Sequence, residues 1–244
     1  HLVDYRQDRA QRLEKSGLTV ESSDGVLESR VHVSTHVPTG LDFIIVLTKA
    51  YSTASLRFPP ETPVLTLQNG LGNVETLCSI LGSARVMAGA TTEAAHLVEE
   101  GRTRHVSPGV TTFGAWTSCP VDSTVGALEK AGFTVELTDA PGQMIWEKVA
   151  INAGINPLTA LLNVPNGQLL QISEMRQLMR DLVVEAAKVA ATEGYRFDHS
   201  LVEVAESMCD RTGENISSML QDVRAGRQTE IDALSGEVMR RAMM

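Results

Sequence analysis

The hydrophobic pattern of the chain changes near residue 140, and this change constrains the fold more than any other feature. Before that point, short apolar runs of strand length, such as residues 43–47, alternate with polar helical stretches. This alternation predicts an α/β sheet. After Pro141 the pattern is helical throughout, beginning with a long stretch over residues 143–162. We therefore predict an α/β domain at residues 1–140 and an all-helical domain at residues 141–244.

Charge and composition exclude several functional classes. The net charge of −9 argues against a binding surface for nucleic acid or for an acidic membrane. No apolar run reaches the roughly 18 residues that a membrane-spanning helix needs. The cysteines are odd in number and widely spaced, at Cys78, Cys119 and Cys209, which indicates buried thiols in a reducing cytoplasm rather than a disulfide framework. No histidine or cysteine spacing predicts a metal site.

One predicted helix carries a row of polar residues at four-residue steps. Lys148, Asn152 and Asn156 are spaced to lie along one helix face, about one turn apart, with apolar residues filling most intervening positions. A cationic proton donor followed by two amides suits a small polar anion. The alternative is an amphipathic helix with a plain polar stripe. Pro157 predicts a kink or a break near Asn156.

Two segments of the helical half carry motifs of a known family. The first is Trp146-Glu-Lys148-Val-Ala-Ile-Asn152-Ala-Gly-Ile-Asn156-Pro-Leu-Thr-Ala, and the second runs over residues 215–236, from Asn-Ile-Ser-Ser-Met through Gly-Arg-Gln-Thr-Glu-Ile-Asp to Gly. Together they resemble the ketopantoate reductase (2-dehydropantoate 2-reductase) family. The Gln68-Asn69-Gly70 stretch is similar to a strand-end loop of that family, and the resemblance extends over the whole chain.

The resemblance implies a fold and an activity. Members of the family begin with a strand, a G-x-G-x-x-G turn and a helix, whereas this chain opens with His1-Leu-Val, which indicates the tail of a strand. We expect an α/β Rossmann-like, dinucleotide-binding N-terminal domain, with its first strand and glycine loop missing from this chain, plus an all-α C-terminal domain. The implied activity is NADPH-dependent reduction of 2-dehydropantoate to (R)-pantoate, in pantothenate and coenzyme A biosynthesis. The alternatives are a reductase of another branched 2-keto acid and a non-catalytic NADP-binding sensor.

Two residues are candidate catalytic groups. Lys148 is the candidate proton donor, because an ammonium beside a carbonyl stabilises developing negative charge and burial lowers its pKa toward the working range. Its alternative is a lysine on the helix surface. Glu230 begins the last predicted helix, where an acid stabilises the helix dipole by roughly 0.3–1 kcal/mol. The resemblance implies instead that Glu230 accepts a hydrogen bond from a substrate hydroxyl and orients Lys148.

Four residues are candidates for substrate binding: Asn152, Asn156, Ser218 and Asn69. The resemblance assigns substrate contacts to the two helical asparagines and to Ser218, which lies near a helix start where a carboxylate is favoured. Asn156 has the competing role of satisfying the backbone near Pro157. Asn69 follows a strand at the edge where nucleotide folds place ligands, and its alternative is a plain turn residue.

Cofactor contacts are expected from Asn69, Lys49, Asp4 and Arg6. Lys49 matches a family lysine near the cofactor, with a solvent-exposed lysine as the alternative. Asp4 follows the predicted second strand, where a carboxylate bonds the ribose 2′-hydroxyl of NAD and repels a 2′-phosphate, while Arg6 and Arg9 are placed to hold that phosphate. We expect NADP(H), with NAD(H) as the contender.

The remaining expectations concern neighbours and partners. Ser217 is predicted to cap a helix, and Asp222 and Asp232 to form scaffold salt bridges. The expected partner is a small 2-keto acid, with no nucleic acid and no membrane. Long apolar helices after residue 172 make a homodimer plausible, and the expected location is cytoplasmic.

Overall fold

The computed structural model describes residues 1–244, and all of its strands precede residue 138. There are eleven strands: β1 Leu2–Val3, β2 Leu18–Ser22, β3 Gly25–Ser29, β4 Val33–Ser34, β5 Ile44–Val46, β6 Val64–Thr66, β7 Val86–Thr91, β8 Ala94–Glu99, β9 Arg102–Ser107, β10 Val110–Ala115 and β11 Thr134–Leu137.

The helices dominate the rest of the chain. There are nine α-helices: α1 Gln7–Ser16, α2 Asn73–Leu81, α3 Asp122–Lys130, α4 Pro141–Leu162, α5 Gln168–Gln171, α6 Ser173–Thr192, α7 Leu201–Arg211, α8 Ser218–Arg224 and α9 Glu237–Ala242. Short 3-10 helices cover Ala50–Ser55 and Ser83–Arg85, and a π-helical turn covers Asp232–Gly236. None of the helices is long and apolar enough to cross a membrane.

A five-stranded sheet forms the centre of the N-terminal part, with strand order β11-β10-β7-β6-β5. Strands β5, β6 and β7 run parallel, β10 is antiparallel to β7, and β11 is parallel to β10. Val64 and Leu65 of β6 are fully buried on opposite faces, because α2 covers one face and α3 covers the other. The predicted α/β architecture with parallel strands is confirmed.

Two smaller sheets stand beside the central one. Strands β1 and β4 pair in parallel, and a four-stranded sheet has the order β3-β2-β9-β8. The sequence pattern predicts one strand over residues 26–33, which is wrong. The chain instead leaves β3 after Ser29 and begins β4 at Val33, because β3 pairs with β2 whereas β4 pairs with β1.

Helix α4 is the centre of the helical part. Its buried residues pack against α6, α7 and the C-terminal segment in one cluster of 19 buried apolar side chains. The expected break at Pro157 does not occur, since α4 runs from Pro141 to Leu162. Proline removes one backbone donor, and the burial of this helix by its neighbours offsets that loss.

The final helix also departs from its prediction. One continuous helix over residues 229–243 is expected, but the structure has a π-helical turn followed by α9. The N–H of Gly236 donates to the carbonyl of Ile231, five residues earlier. The carbonyl of Ala233 accepts the N–H of Leu71 at 2.7 Å. The backbone of the loop after β6 is therefore hydrogen-bonded to this helical turn, and the bond joins the two parts of the molecule.

Candidate active site

Lys148 lies on α4 and points its ammonium toward the end of β7. Its Nζ donates to the carbonyl oxygen of Thr91 at 3.4 Å. Burial lowers the pKa of Lys148, and the negative charge of Glu230 opposes that shift. A lysine with a lowered pKa next to a carboxylate is suited to donate a proton near neutral pH.

Glu230 is buried, and its carboxylate is held by the N-terminal part of the molecule. Its Oε1 accepts from the backbone N–H of Ala50 at 3.0 Å, and its Oε2 lies 3.3 Å from Lys49 Nζ. Glu230 makes no hydrogen bond with Lys148, and its expected role of orienting Lys148 and binding a substrate hydroxyl stays a prediction. Glu230 acts on Lys148 through its charge, because both oxygens already contact the segment that follows β5.

Lys49 is the centre of an ion-pair network between the two parts of the molecule. Its Nζ donates to Asp222 Oδ2 at 2.6 Å, and Arg227 Nε donates to Oδ1 of the same carboxylate at 3.0 Å. Burial alone would lower the pKa of Lys49, but Asp222 and Glu230 together raise it. Asp222 is therefore the scaffold ion-pair partner that the sequence predicts. Asp232 is exposed and forms no ion pair, so its prediction is wrong.

The start of α8 is tied to α4 beside Asn156. Ser217 caps α8 by accepting the N–H of Leu220 at 3.2 Å, which confirms its predicted role. The hydroxyls of Ser217 and Thr159 are 2.7 Å apart, and Thr159 also donates to the carbonyl of Asn156 at 2.9 Å. Ser218 follows the cap directly, is exposed, and makes no hydrogen bond within the chain. Its hydroxyl is free to bind a ligand.

The side chains of Asn152 and Asn156 likewise make no hydrogen bond within the chain. Asn152 is half-buried and Asn156 is buried. Neither amide is among the buried side-chain groups without a partner, so both keep access to solvent and can bind a ligand. The polar face predicted for α4 therefore presents one ammonium and two unpaired amides.

The loop after β6 brings Asn69 next to the segment that carries Glu230. Gly70 has a φ of +87°, and a Cβ there would lie 2.5 Å from the carbonyl oxygen of Ala233, so only glycine permits this contact. Gln68 Nε2 fixes the loop by donating to the carbonyl of Thr48 and to Thr53 Oγ1, both at 2.9 Å. Sequence reasoning gave Gln68 no role, although it belongs to the Gln-Asn-Gly motif.

These contacts form one connected path through the candidate site. Ser218 and Asp222 are one turn apart on α8, and Asp222 contacts Lys49. Lys49 contacts Glu230, whose charge acts on Lys148. Glu230 also lines a cavity of about 230 Å³ between the 3-10 helix at Ala50–Ser55 and the π-helical turn, and none of the other site residues lines it.

Asp4 and Arg6, which follow β1, both take part in ion pairs. The Asp4 carboxylate is buried, accepts the backbone N–H of Arg6 at 2.9 Å, and pairs with the guanidinium of Arg9. Asp4 is therefore engaged internally, and its expected contact with the cofactor ribose stays a prediction. The side chain of Arg6 is about half exposed.

The Rossmann-like sheet carries polar side chains at the carboxyl ends of its parallel strands, and they face a helix with a lysine suited to proton donation. This combination defines an oxidoreductase that acts on a CH–OH group. Sequence comparison narrows this class to one family. The family described as "Ketopantoate reductase PanE/ApbA" matches residues 1–118, and its C-terminal counterpart, "Ketopantoate reductase PanE/ApbA C terminal", matches residues 142–244. The chain belongs to this ketopantoate reductase family.

Individual proteins show the same relationship. The 2-dehydropantoate 2-reductase of Halobacterium salinarum is 35% identical, over 99% of this chain and 83% of its own. A PanE/ApbA family ketopantoate reductase from Ralstonia eutropha has a similar structure, with a TM-score of 0.87, 26% identity, and coverage of 98% of this chain and 82% of its own. A D-mandelate dehydrogenase solved with NADH and anilino(oxo)acetate gives a TM-score of 0.88 at 25% identity, over 99% of this chain and 83% of its own.

Proposed function

We propose that this protein reduces 2-dehydropantoate to (R)-pantoate with NADPH, as a step toward pantothenate and coenzyme A. The observation that carries the proposal is Lys148, whose lowered pKa and unpaired amide neighbours suit a proton donor to a 2-keto acid. The curated relatives of this chain support the substrate, since they are 2-dehydropantoate 2-reductases.

Each residue of the candidate site has its own role in the proposed reaction. When the nicotinamide cofactor is bound, it supplies the hydride for carbon 2 of the keto acid. Lys148 donates a proton to the carbonyl oxygen as that oxygen becomes negative, and then regains a proton from solvent. Asn152, Asn156 and Ser218 hold the carboxylate and the hydroxyl of the substrate. Glu230 keeps Lys148 protonated in the resting enzyme.

The cofactor contacts of the proposal are Asn69, Lys49 and Arg6. The internal pairing of Asp4 with Arg9 supports NADPH over NADH, because a neutralised, buried carboxylate does not repel a 2′-phosphate. The exposed guanidinium of Arg6 is the group that would hold this phosphate.

The proposal also includes the arrangement of the protein. The chain divides into a dinucleotide-binding domain at residues 1–140 and a substrate domain at residues 141–244, which meet at the Lys49 network. Exposed apolar side chains on α6 and just before it, at Ile172, Leu178 and Val184, support a homodimer. Three unpaired cysteines support a reducing, cytoplasmic location.

A second candidate is a dehydrogenase of another D-2-hydroxy acid, favoured by the structural likeness to D-mandelate dehydrogenase. The groups that act on the carbonyl and the carboxylate would be the same, because the side-chain pocket sets the identity of the substrate.

One experiment separates the two candidates. NADPH oxidation by the full-length protein is measured with 2-dehydropantoate and with other 2-oxo acids, including 2-oxo-2-phenylacetate. The proposal predicts that 2-dehydropantoate has the highest kcat/KM by at least about tenfold, a difference of about 1.4 kcal/mol in transition-state binding. A higher kcat/KM with 2-oxo-2-phenylacetate would support the second candidate function instead.

A further inference from the structure

Three arginines are spaced along the start of α1, immediately after β1. Arg6 precedes the helix, and Arg9 and Arg12 follow at steps of three. Arg9 pairs with the buried carboxylate of Asp4. The side chains of Arg6 and Arg12 are about half exposed, at 44% and 52%. Two adjacent guanidinium groups match the geometry of a phosphate monoester.

A carboxylate from a distant part of the chain already occupies these two guanidinium groups. Glu100, in the turn between β8 and β9, accepts two hydrogen bonds from Arg12, from Nε at 2.5 Å and from NH2 at 2.9 Å. The same carboxylate lies 3.7 Å from NH2 of Arg6. The fork of Arg12 holds the pKa of Glu100 below its usual range, so Glu100 is anionic at neutral pH.

The position of Glu100 is fixed by the backbone next to it. The carbonyl of Gly101 accepts the N–H of Thr19 at 2.8 Å. A Cβ on Gly101 would lie 3.1 Å from Cδ2 of Leu13 on α1, so the hairpin turn rests directly against this helix. The contact of Glu100 with the arginines therefore follows from the packing of the turn.

The charges around the contact between Glu100 and the arginines balance, and this affects which ligand can bind there. The two cations, Arg6 and Arg12, are matched by two anions, Glu100 and Asp8, whose Oδ2 lies 2.9 Å from Arg12 NH1. A phosphate that binds Arg6 meets a site with no net charge and must displace or repel Glu100. A ribose 2′-hydroxyl, which has no charge, meets no such competition.

We propose that Glu100 is a specificity-determining residue for the cofactor, because its carboxylate competes with the 2′-phosphate of NADPH for Arg6 and Arg12. The inference rests on the proposed use of Arg6 for that phosphate. The hairpin turn between β8 and β9, which is far in sequence from β1, therefore influences the binding preference for NADPH or NADH.

The test is the binding of NADPH and NADH to the full-length Glu100→Gln variant. Glutamine keeps the size of the side chain and removes its charge. The matched control is Glu99→Gln, since Glu99 is exposed and pairs only with Arg102, at 3.7 Å. Dissociation constants are titrated through protein fluorescence without substrate, so the result does not depend on which keto acid the enzyme reduces.

Glu100→Gln is expected to tighten NADPH binding by about three- to tenfold at low salt and to change NADH binding by less than about twofold. The gain should shrink as salt is raised, and it should disappear in the Arg12→Ala background. The control should match the wild type. Weaker NADPH binding in Glu100→Gln, equal changes for both cofactors, or equal effects of the two variants would overturn the inference.

Failure of the proposed function has a different signature. If the wild type does not reduce 2-dehydropantoate but Glu100→Gln still tightens NADPH selectively, the role of Glu100 stands and the substrate assignment falls. Unfolding temperatures of the variants exclude a loss of folding as the cause. A Glu100→Ala variant, with the same expected direction, gives a second reading if the glutamine variant is unstable.

Discussion

The 2.6 Å hydrogen bond from Lys49 Nζ to Asp222 Oδ2 joins the segment after β5 to helix α8. The two residues are 173 positions apart, and the bond brings the carboxyl end of a sheet strand against the helical part. Lys49 contacts Glu230 as well, so the position of one ammonium sets the positions of two carboxylates. The candidate active site depends on this connection.

Removal of the Asp222 carboxylate should separate the two parts of the site. Asp222→Ala leaves Lys49 and Arg227 without their shared partner, and we expect kcat/KM to fall by about 10- to 100-fold, with stability reduced by roughly 1–3 kcal/mol. Steady-state kinetics and urea unfolding measure the two effects. Asp232→Ala is the control, because Asp232 is exposed and forms no ion pair. Equal behaviour of the two variants would contradict the account.

The pH dependence of reduction should report the protonation of Lys148. Reduction needs the charged ammonium, so kcat should fall as the pH rises through the pKa of Lys148, which burial places below its ordinary value of 10.5. Glu230 opposes this lowering, so Glu230→Gln should move the alkaline limb to lower pH. The measurement is a pH–rate profile of both proteins with saturating substrate. An alkaline limb that stays in place, or moves upward, excludes the charge of Glu230 as the cause.

The packing of α4 against α6 should not tolerate a larger residue at Gly154. A Cβ there would lie 2.5 Å from Val183 Cγ2 and 3.0 Å from the carbonyl oxygen of Met179. Gly154→Ala is expected to destabilise the protein by about 1–3 kcal/mol, measured by urea unfolding. Gly126→Ala in α3 is the matched control, since it meets no atom within 4 Å and should gain up to about 1 kcal/mol from helix propensity. A Gly154→Ala protein as stable as this control would disprove the close contact.

Glu206 should make the helical part sensitive to acid. Arg176 and Arg180 lower its pKa to about 2, through hydrogen bonds of 2.6–2.9 Å. Its folded pKa lies below the unfolded value of 4.5, so its stabilisation is complete above that value and is lost as the pH falls toward 2. Glu206→Gln is expected to lower the Tm by roughly 2–4 °C at about pH 7, and most of the difference from wild type should be lost by about pH 2.

The control for this prediction is Glu203→Gln, which changes an exposed carboxylate on the same helix. Its Tm should follow the wild type at each pH. A difference between Glu206→Gln and wild type that persists unchanged below the folded pKa would show that charge is not the source of the effect.

Local sequence patterns predicted most of the fold because they record which faces are buried. The apolar run at residues 43–47 predicts β5, and the four-residue steps of Lys148, Asn152 and Asn156 predict the polar face of α4. The interrupted final helix could not be predicted this way. At its π-helical turn, the carbonyl of Ala233 accepts the N–H of Leu71, a residue from the other part of the molecule that no local pattern identifies.

The candidate site also contains features that the sequence predicts and features that it does not. The residue types and the order of Lys148, Ser218 and Glu230 could be read from motifs, but the partner of each charge could not. Glu230 is bound to Lys49, 181 residues away, and this pairing depends on which segments meet in three dimensions. A buried carboxylate binds the nearest available cation, and sequence distance does not identify that cation.

The most direct test of the central claim is the turnover of Lys148→Ala with NADPH and 2-dehydropantoate. The account predicts that kcat falls by about 10²- to 10⁴-fold, the usual range for a lost acid catalyst, while NADPH binds as tightly as before. Lys188→Ala, at an exposed lysine on α6, should retain wild-type turnover. A Lys148→Ala enzyme with the kcat of the wild type would contradict the assignment of Lys148 as the proton donor.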